Sequence, residues 1–388
     1  MDLNPLVNAI LVGFQNFGWS NLVMIAAGLV LIYLAIAKEF EPNLLIPIGI
    51  GCNLANVGMA VNMDLNGLVT CGNDQNFLTI LYCAGIQTEL FPLLIFVGVG
   101  AMIDFTPLLA MPQMVMLGAA GQFGIYATLI VATLLGMTLP QAASIGSIGA
   151  IDGPTAIFVA TKLAPGLLGA IAVAAYSYMS LVPVIQPPIM KLLTTKKERM
   201  IRMDYMPRVV SKRARIIFPI VVTVVISLLA PQAAPLIATL MLGNFLREAG
   251  VVERLSQTVQ HELINISTLF LGLCIGATMT GERFIRLETL AVLLLGLFAF
   301  VIDTVAGLLF GKLAAVISGG KINPLIGACG ISAFPMAARL SAKSALDEDF
   351  DNFILMHAMG SNTAGQLGSV VAGGLLLVLV NSVTHLIH

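Results

Sequence analysis

Long apolar stretches alternate with short polar ones along the whole chain, and the apolar stretches are of two kinds. Six run almost without interruption, and with their flanks they approach the roughly 20 residues that a helix needs to cross a bilayer. They are Leu22–Ala37, Met114–Leu135, Leu167–Ile189, Ile216–Leu229, Leu290–Phe310 and Phe353–Val380. The others are interrupted by Gly and Pro: Leu44–Val61, Phe77–Ile103, Ala142–Leu163, Leu236–Leu246, Ile264–Met279 and Pro324–Leu340. The pattern predicts about ten to twelve membrane elements, several of them broken part-way across.

Composition turns this pattern into a fold class. Of 388 residues, 58% are hydrophobic and only 10% are charged, whereas soluble chains average about 25% charged residues. We therefore predict an all-α polytopic membrane protein embedded in a lipid bilayer. The net charge of -1 gives no reason to expect a nucleic-acid partner. The opening Met-Asp-Leu-Asn is acidic, so we expect no cleaved signal peptide.

Charge is unevenly distributed between the loops, which predicts their sides of the membrane. The segment Lys196–Arg215 carries eight of the 19 Lys and Arg residues against two acids. Positively charged loops remain in the cytoplasm, so this segment is expected there, whereas Asn62–Asn76 has no Lys or Arg and suits the outer face. The five cysteines form no paired motif, and we expect them to be small apolar residues without zinc or disulfides.

The interrupted stretches recur in the same order, which indicates an internal duplication. Gly51–Gly58 resembles Gly243–Gly250, and Leu93–Met102 resembles Leu269–Thr278. Residues 146–162, "GSIGAIDGPTAIFVATK", align without gaps with residues 327–343, "GACGISAFPMAARLSAK". Five positions are identical in this alignment: Gly146 and Gly327, Gly149 and Gly330, Pro154 and Pro335, Ala156 and Ala337, and Lys162 and Lys343. Such duplications are typical of transporters with inverted repeats, whose sites lie at the helix breaks.

We therefore predict two inverted structural repeats with discontinuous or re-entrant helices. Residues 1–40 form an N-terminal segment and first span, 41–195 the first repeat, 196–215 a basic cytoplasmic linker, and 216–388 the second repeat.

Asp152 is the charged residue at the first break, directly before Gly153-Pro154. It would cap the half-helix that Pro154 begins, but at a helix centre an acid costs about 2.5–3.5 kcal/mol of insertion free energy. A serine would cap at lower cost. Because unwound backbone also frees carbonyl oxygens, the pattern favours a site for a hard cation or a proton.

The second break offers Asn323, Ser332 and Arg339. Neutral oxygens from Asn323 and Ser332 together with one carboxylate suit Na⁺, since Ca²⁺ or Zn²⁺ would call for more acids, His or Cys. Ser332 could equally cap the next half-helix. Arg339 binds an anionic substrate group or extends to the membrane interface.

Four further polar residues follow the breaks, each with a structural alternative. Tyr176 and Tyr178 are candidates for proton donation or ion ligation, or belong to an aromatic belt. Asn362 lies among Gly and Ser, which also allow close helix packing. Asp303 is a second acid within an apolar stretch, but no break accompanies it.

Four motifs together resemble one family. "GAIDGPTAIFVATKLAP", "YSYMSLVPVIQPPIMK", "NPLIGACGISAFPMAAR" and "FILMHAMGSNTAGQLGS" closely resemble the β subunit of the sodium-pumping, biotin-dependent decarboxylases of oxaloacetate, methylmalonyl-CoA and glutaconyl-CoA. The resemblance covers nearly the whole chain. One departure is Ile151, since the family often has alanine before the aspartate.

The resemblance implies that the chain decarboxylates carboxybiotin, consumes a proton and exports Na⁺. It implies that Asp152 is the essential aspartate, that Tyr178 takes part in ion binding or protonation, and that Arg339 meets carboxybiotin. The second functional region and the later helix then supply the remaining implied site residues: Asn323, Gly327, Ser332 and Asn362.

The implied cofactors are Na⁺ and a carboxybiotin carried on a partner subunit. The implied partners are biotin carrier and carboxyltransferase subunits and a small membrane subunit. A homo-oligomer of the chain is also compatible with the resemblance. The implied location is the bacterial cytoplasmic membrane, with the substrate on the cytoplasmic side. The alternative function is a secondary Na⁺/H⁺ or Na⁺/solute exchanger, which would use the same breaks without chemistry.

Overall fold

A computed structural model describes residues 17–62, 69–72, 76–203 and 209–387, and within these ranges the chain forms helices and loops but no sheet. This confirms the predicted all-α class. The α-helices are α1 (Trp19–Ala37), α2 (Pro42–Leu54), α3 (Phe77–Tyr82), α4 (Leu90–Met102), α5 (Thr106–Ala110), α6 (Met114–Ala120), α7 (Phe123–Leu134), α8 (Leu139–Ala150), α9 (Gly153–Leu163), α10 (Leu168–Leu193), α11 (Lys196–Arg199), α12 (Lys212–Leu229), α13 (Ala234–Ala249), α14 (Glu253–Thr258), α15 (Ile264–Ala277), α16 (Gly281–Phe284), α17 (Leu287–Ile317), α18 (Met336–Leu346) and α19 (Leu355–Ile387).

Short irregular turns interrupt this series. They are π-helical at Ala55–Met59, Cys83–Gln87 and Val259–Leu263, and 3₁₀-helical at Pro165–Leu167, Pro231–Ala233 and Pro324–Gly330. Each of the 3₁₀ turns begins at a proline, which suits a first helical position because it has no N–H to leave unpaired.

Six helical stretches of the described chain are long and apolar enough to cross a membrane. They are Trp19–Ala37, Met114–Leu134, Pro165–Leu193, Glu253–Ala277, Leu287–Ile317 and Leu355–Val383. A seventh candidate is the pair Phe77–Gln87 and Leu90–Met102, bent by 57°. The larger number predicted from sequence also counted shorter, broken pieces such as α2, α8 and α9.

Each half of the chain contributes two helices that pack against helices of the other half. Helix α2 packs against α15, and α13 packs against α4. In the first pair Gly51 lies against Gly276, and in the second Gly243 lies against the backbone of Val97 and Ala101, next to Gly100. These are the glycines that match in sequence, and each allows two backbones to approach where a side chain would collide.

A matching pair of side-chain contacts accompanies the glycines. Asn56 Nδ2 donates to the Met279 carbonyl oxygen at 2.8 Å, and Asn244 Nδ2 donates to the Ile103 carbonyl oxygen at 3.0 Å. Both carbonyls follow the end of a helix, where backbone oxygens lack a partner within the helix. Ile103 and Met279 are equivalent in the sequence repeat, whereas Asn56 and Asn244 are not, so only the accepting carbonyls match between the halves.

Two hairpins enter the molecule from opposite ends of α10. The first comprises α8 and α9, whose outer ends line one cavity with Pro165 and Leu167, directly before α10. The second comprises Pro324–Gly330 and α18, and its base contacts Arg199, which follows α10. Since the 26 residues of α10 span about 39 Å, the hairpins point at each other across the molecule. This is the arrangement that an inverted repeat requires, but the repeat and its boundaries remain predictions.

The linker between the halves is joined by ion pairs to the base of the second hairpin. Arg199 pairs with Glu348 at 2.6 Å and Arg202 with Asp349 at 2.6 Å. Residues 204–208 of the predicted linker lie outside the described residues.

The expectation of no disulfide was wrong. Cys71 and Cys83 are bonded, whereas Cys52, Cys274 and Cys329 are buried and free. Cys71 lies in the loop that we predicted on the outer face, where oxidising conditions allow disulfides to persist. The odd number of cysteines and the spacing of these two gave no sign of the pair.

Candidate functional site

Asp152 lies at the tip of the first hairpin and uses both carboxylate oxygens. One oxygen accepts a hydrogen bond from the backbone N–H of Thr155 at 3.0 Å, so Asp152 does cap α9. The other accepts a hydrogen bond from Nε2 of Gln366, on α19. Asp152 is only 6% exposed. The capping and ligand interpretations are therefore compatible, because one oxygen caps while the other faces a different helix.

Sequence reasoning did not select Gln366, which is 1% exposed and lies 214 positions from Asp152. Its one available signal was an amide within a long apolar stretch, where an unpaired polar group is costly. That signal names no partner, so the contact could not be predicted.

Ser332 joins the tip of the second hairpin to the tip of the first. Its backbone N–H and its hydroxyl both donate to the carbonyl oxygen of Ala150, at 3.1 and 2.5 Å. The residue that precedes α18 at the capping position is Pro335, not Ser332. The alternative in which Ser332 only caps the next helix is therefore wrong, and the side chain instead holds the two breaks together.

Two cavities adjoin Asp152 where the tips meet. The smaller, about 20 Å³, is lined by Asp152, Tyr178 and Ser332 together with the backbone around Gly149. The larger, about 360 Å³, is lined by Asp152, Ser332, Tyr176 and Gln366 and extends to Glu41. The smaller volume is about that of one water-sized probe, so it suits a single dehydrated ion or one water.

The two tyrosines occupy different positions around the carboxylate. The Tyr178 hydroxyl donates to the carbonyl oxygen of Leu293 on α17. Its oxygen retains capacity to accept a bond. Tyr176 is buried and its ring lies against Gly153, so a side chain at that glycine would collide with it. Neither phenol is thus confined to an exposed belt.

The second tip holds its backbone with side-chain amides. The carbonyl oxygens of four successive residues, 328 to 331, each accept from an amide. Gln186 donates to Ala328 at 2.7 Å, and Asn362 donates to Cys329 at 3.0 Å and to Ile331 at 2.8 Å. Gln122 donates to Gly330 at 3.0 Å. Side chains from α10, α19 and the turn between α6 and α7 therefore replace the hydrogen bonds that an intact helix would supply at this depth.

The amides that hold the second tip donate hydrogen bonds through nitrogen, and their oxygens accept none from the described residues. Within the described chain, Oδ1 of Asn362 and Oε1 of Gln122 and Gln186 have no hydrogen-bond partner, although all are buried. Buried amide oxygens without a donor are unusual. Asn362 thus supports the tip, and its role as an ion ligand stays a prediction; Gln122 and Gln186 were not selected from the sequence.

Asn323 and Gly327 lie elsewhere on the second hairpin. Asn323 Nδ2 donates to the carbonyl oxygens of Arg199 and Ile201, both at 2.9 Å, and its Oδ1 accepts from the N–H of Leu325 at 3.0 Å. Gly327 lies against Gly307 of α17. Neither residue lines the two cavities at Asp152. Their roles as ion ligands remain predictions.

Arg339 is exposed on α18. In the part of the chain that the structure describes it has no ion-pair partner, whereas the nearby Arg199 and Arg202 are paired. It does not line either cavity at Asp152. An exposed and unpaired guanidinium is available to an external anion.

Asp303 is fully buried on α17, close to the first hairpin. Its Oδ1 accepts from the backbone N–H of Gly124 at 2.5 Å, while no described residue donates to Oδ2. It packs against Gly149 and Gly124, so it joins α7, α8 and α17.

Comparison with known proteins gives a consistent result. The family model described as "Na+-transporting oxaloacetate decarboxylase beta subunit" matches residues 20–380. The methylmalonyl-CoA decarboxylase subunit beta of Veillonella parvula is 54% identical over 370 residues, covering 95% of this chain and 96% of that protein. The glutaconyl-CoA decarboxylase subunit beta of Acidaminococcus fermentans is 51% identical over 368 residues, covering 95% of each chain. The oxaloacetate decarboxylase beta chain of Klebsiella pneumoniae is 48% identical over 431 residues, covering 98% of this chain and 99% of that one.

Proposed function

The chain belongs to the family of the Na⁺-transporting oxaloacetate decarboxylase beta subunit, and from this membership we propose that it decarboxylates carboxybiotin and couples the reaction to Na⁺ export. The membership confirms the resemblance found in the sequence. It makes this chain a membrane subunit of a decarboxylase, and it does not favour the alternative of a simple exchanger.

The observation that carries the proposal is the position of Asp152 where two hairpin tips meet. A carboxylate beside unwound backbone attracts a cation, and Asp152 adjoins both the small cavity and the larger one. In the small cavity a Na⁺ ion would take oxygens from Asp152, Tyr178 and Ser332. One negative charge with neutral oxygens suits a monovalent ion.

The chemical step requires one proton. Cleavage of the bond between the carboxyl carbon and the biotin nitrogen releases CO₂ and leaves the electron pair on nitrogen, which must take up a proton. Tyr178 is a candidate donor because it lines the small cavity together with Asp152. Arrival of Na⁺ beside the phenol would favour loss of its proton, since a nearby positive charge favours the anionic form.

Arg339 is the proposed contact for the carboxyl group of carboxybiotin. Its planar fork suits a carboxylate better than an ammonium group does, and it is exposed and unpaired within the described chain. Arg339→Lys should therefore weaken the use of carboxybiotin while Na⁺ still protects the protein from proteolysis. Lost protection with unchanged carboxybiotin kinetics would reject this role.

The proposed partners are a biotin carrier subunit, a carboxyltransferase subunit and a small membrane subunit, because a β subunit implies a multi-subunit complex. We place the chain in the bacterial cytoplasmic membrane, with the basic linker and the base of the second hairpin in the cytoplasm. This follows from the eight cationic residues of Lys196–Arg215 and the positive-inside rule.

The test is decarboxylation of free carboxybiotin by the purified membrane complex. We expect turnover to require Na⁺ and vesicles to accumulate ²²Na⁺ as substrate is consumed, with avidin blocking the reaction that begins from the carboxylated substrate. Na⁺ exchange that proceeds without decarboxylation, and without a biotinylated partner on co-purification, would support the exchanger instead.

A further inference from the structure

The larger cavity at Asp152 is lined by a second carboxylate, that of Glu41. The cavity measures about 360 Å³, and Glu41 and Asp152 are its two charged residues. No Lys, Arg or His of the described chain lines it. Two carboxylates without a compensating cation give a cavity a negative potential, which concentrates cations and repels anions.

Glu41 has no ion-pair partner in the described ranges, unlike other partly buried acids. Glu89 pairs with Lys162 at 2.6 Å, Glu248 with Arg215 at 3.3 Å, and Glu348 with Arg199 at 2.6 Å. Glu41 precedes α2, yet its side chain makes no capping bond to that helix. Its carboxylate therefore serves none of the structural tasks that acids of this chain usually perform.

The backbone at Glu41 is held in an unfavourable conformation. Its φ is 36°, in the left-handed region that non-glycine residues rarely adopt. Such conformations persist where the surrounding structure holds them, and they concentrate at functional sites. Glu39 and Glu89 also have a positive φ, so what distinguishes Glu41 among the three is that it lines the cavity of Asp152.

The wall of this cavity includes polar side chains from a segment that is long and apolar enough to cross the membrane. Gln260, Asn265 and Thr268 line the cavity and belong to the candidate span Glu253–Ala277, and Asn43 lines it two residues after Glu41. An amide facing hydrocarbon would lack a hydrogen-bond partner. Water entering the cavity would supply one, so the wall suits a hydrated passage.

The passage opens toward the side predicted to be cytoplasmic. At the opposite end of α1, Ser20 lies against Gly281, and Asn21 lies beside Asn56. That end is on the side of the loop that carries the Cys71–Cys83 disulfide, which follows Asn56. Since α1 has 19 residues and spans about 28 Å, Glu41 lies across the membrane from it.

We infer that Glu41 is an initial Na⁺-binding group, which holds a hydrated ion at the cytoplasmic mouth of the passage to Asp152. The inference rests on the proposed function and adds the route by which the ion arrives. It also separates the two substrates, because anionic carboxybiotin is repelled by this cavity and must reach the exposed Arg339 from another side.

The test compares Glu41→Gln with Glu39→Gln in the complete complex. Glu39 is in the same loop, has the same charge and a left-handed φ of 56°, and does not line the cavity. At low ionic strength we expect Glu41→Gln to raise the Na⁺ concentration for half-maximal decarboxylation by roughly threefold to tenfold. Glu39→Gln should keep the wild-type value.

Ionic strength then distinguishes charge from structure. Choline chloride should shrink the difference between Glu41→Gln and wild type, because added salt screens the attraction, and Glu41→Asp should restore most of the Na⁺ affinity. Wild-type Na⁺ dependence in Glu41→Gln would overturn the inference and leave the proposed function standing. Absence of Na⁺-dependent turnover in the wild-type complex would instead reject the proposed function.

A labelling experiment tests the passage independently of turnover. Asn265→Cys should react with a charged, membrane-impermeant methanethiosulfonate added from the cytoplasmic side. The neighbouring Ile266→Cys should not. Ile266 does not line the cavity, and as a 53% exposed residue of a candidate span it would face lipid, which a charged reagent does not enter. Wild type, whose free cysteines are buried, gives the background. Equal labelling of the two variants, or none at Asn265→Cys, would contradict a hydrated passage.

Discussion

The tips of the two hairpins occupy equivalent places in the repeated sequence, yet they are stabilised differently. The first has Asp152, whose counterpart 181 residues later is Ala333. Helices α8 and α9 continue to within two residues of each other there, at Ile151 and Asp152. The second tip is neutral, and four of its carbonyls depend on amides from elsewhere in the chain. The first tip therefore presents a charge, whereas the second is a neutral element that other parts of the chain support.

The first prediction removes the charge that distinguishes the tips. Asp152→Asn keeps the shape and the cap to Thr155, because an amide oxygen can still accept. We expect Na⁺-dependent decarboxylation and ²²Na⁺ uptake to fall to background while the protein inserts normally. Substantial turnover that still responds to Na⁺ would show that the difference between the tips is unrelated to ion binding.

The second prediction leaves the charge and removes its partner. Gln366→Leu retains much of the volume but deprives one Asp152 oxygen of its donor. A hydrogen bond to a charged group contributes about 1.5–3 kcal/mol, so we expect roughly a tenfold or larger rise in the Na⁺ needed for half-maximal turnover. Gln232→Leu, at a half-buried glutamine that lines neither cavity at Asp152, is the control; equal effects at both positions would contradict a specific role.

The third prediction concerns the support at the second tip. Asn362→Ala deprives two buried carbonyls of a donor, and each unsatisfied group costs about 1–3 kcal/mol. We expect a lower thermal unfolding temperature of the purified protein and a higher Na⁺ concentration for half-maximal turnover. Asn381→Ala, at an exposed position of the same helix, should change neither. An unaltered unfolding temperature in Asn362→Ala would mean that the tip holds its shape without this amide.

The fourth prediction loosens the contact between the tips. Ser332→Ala removes the hydroxyl that donates to Ala150 and leaves the backbone donor in place. A neutral hydrogen bond contributes about 1 kcal/mol, so the Na⁺ requirement should rise by a few-fold in assays of turnover against Na⁺ concentration. Ser332→Thr, which keeps the hydroxyl, should recover part of the loss.

The smallest effect is expected at the bases of the hairpins. Glu89 with Lys162 fastens the first base and Glu348 with Arg199 the second. The hydrogen bond from Arg199 lowers the pKa of Glu348. The ion pair of Glu348 with Arg199 therefore contributes fully to the free energy of unfolding above the unfolded pKa of glutamate, about 4.3. This contribution is lost as pH falls through the lower pKa of Glu348 in the folded protein.

Glu348→Gln should accordingly lower the unfolding temperature slightly at pH 7. The difference from wild type should disappear in acid, where the wild-type carboxylate is protonated as well. Thermal unfolding of both proteins from pH 7 into acid measures the difference in unfolding temperature. A difference that persists at the lowest pH would point to packing instead of charge.

The sequence predicted much of the framework because the relevant signals are local. Charge depletion and apolar length indicate a membrane protein, and Asp152 followed by Gly153-Pro154 marks a break with a carboxylate. The glycine matches indicated a duplication, and in the structure the same glycines lie where helices of the two halves approach each other closely.

The polar contacts between helices could not be predicted in this way. Gln366, Gln186 and Gln122 act on residues 214, 142 and 208 positions away, and an isolated amide in an apolar stretch does not specify its partner. Asn323 illustrates the converse case. Its proximity to the second break suggested a ligand, whereas its amide holds the carbonyls of the linker. Distant backbone groups, not neighbouring sequence, decide where such side chains point.

The exchange of partners between α2, α4, α13 and α15 also affects biogenesis. While the first half emerges from the ribosome, the glycine-lined faces of α2 and α4 have no complementary helix, because α15 and α13 have not yet been synthesised. Lipid or an insertase must cover these faces until the chain is nearly complete. The two halves are therefore one unit of assembly: expressed as separate polypeptides, they would have to find each other within the bilayer before either could reach its final packing.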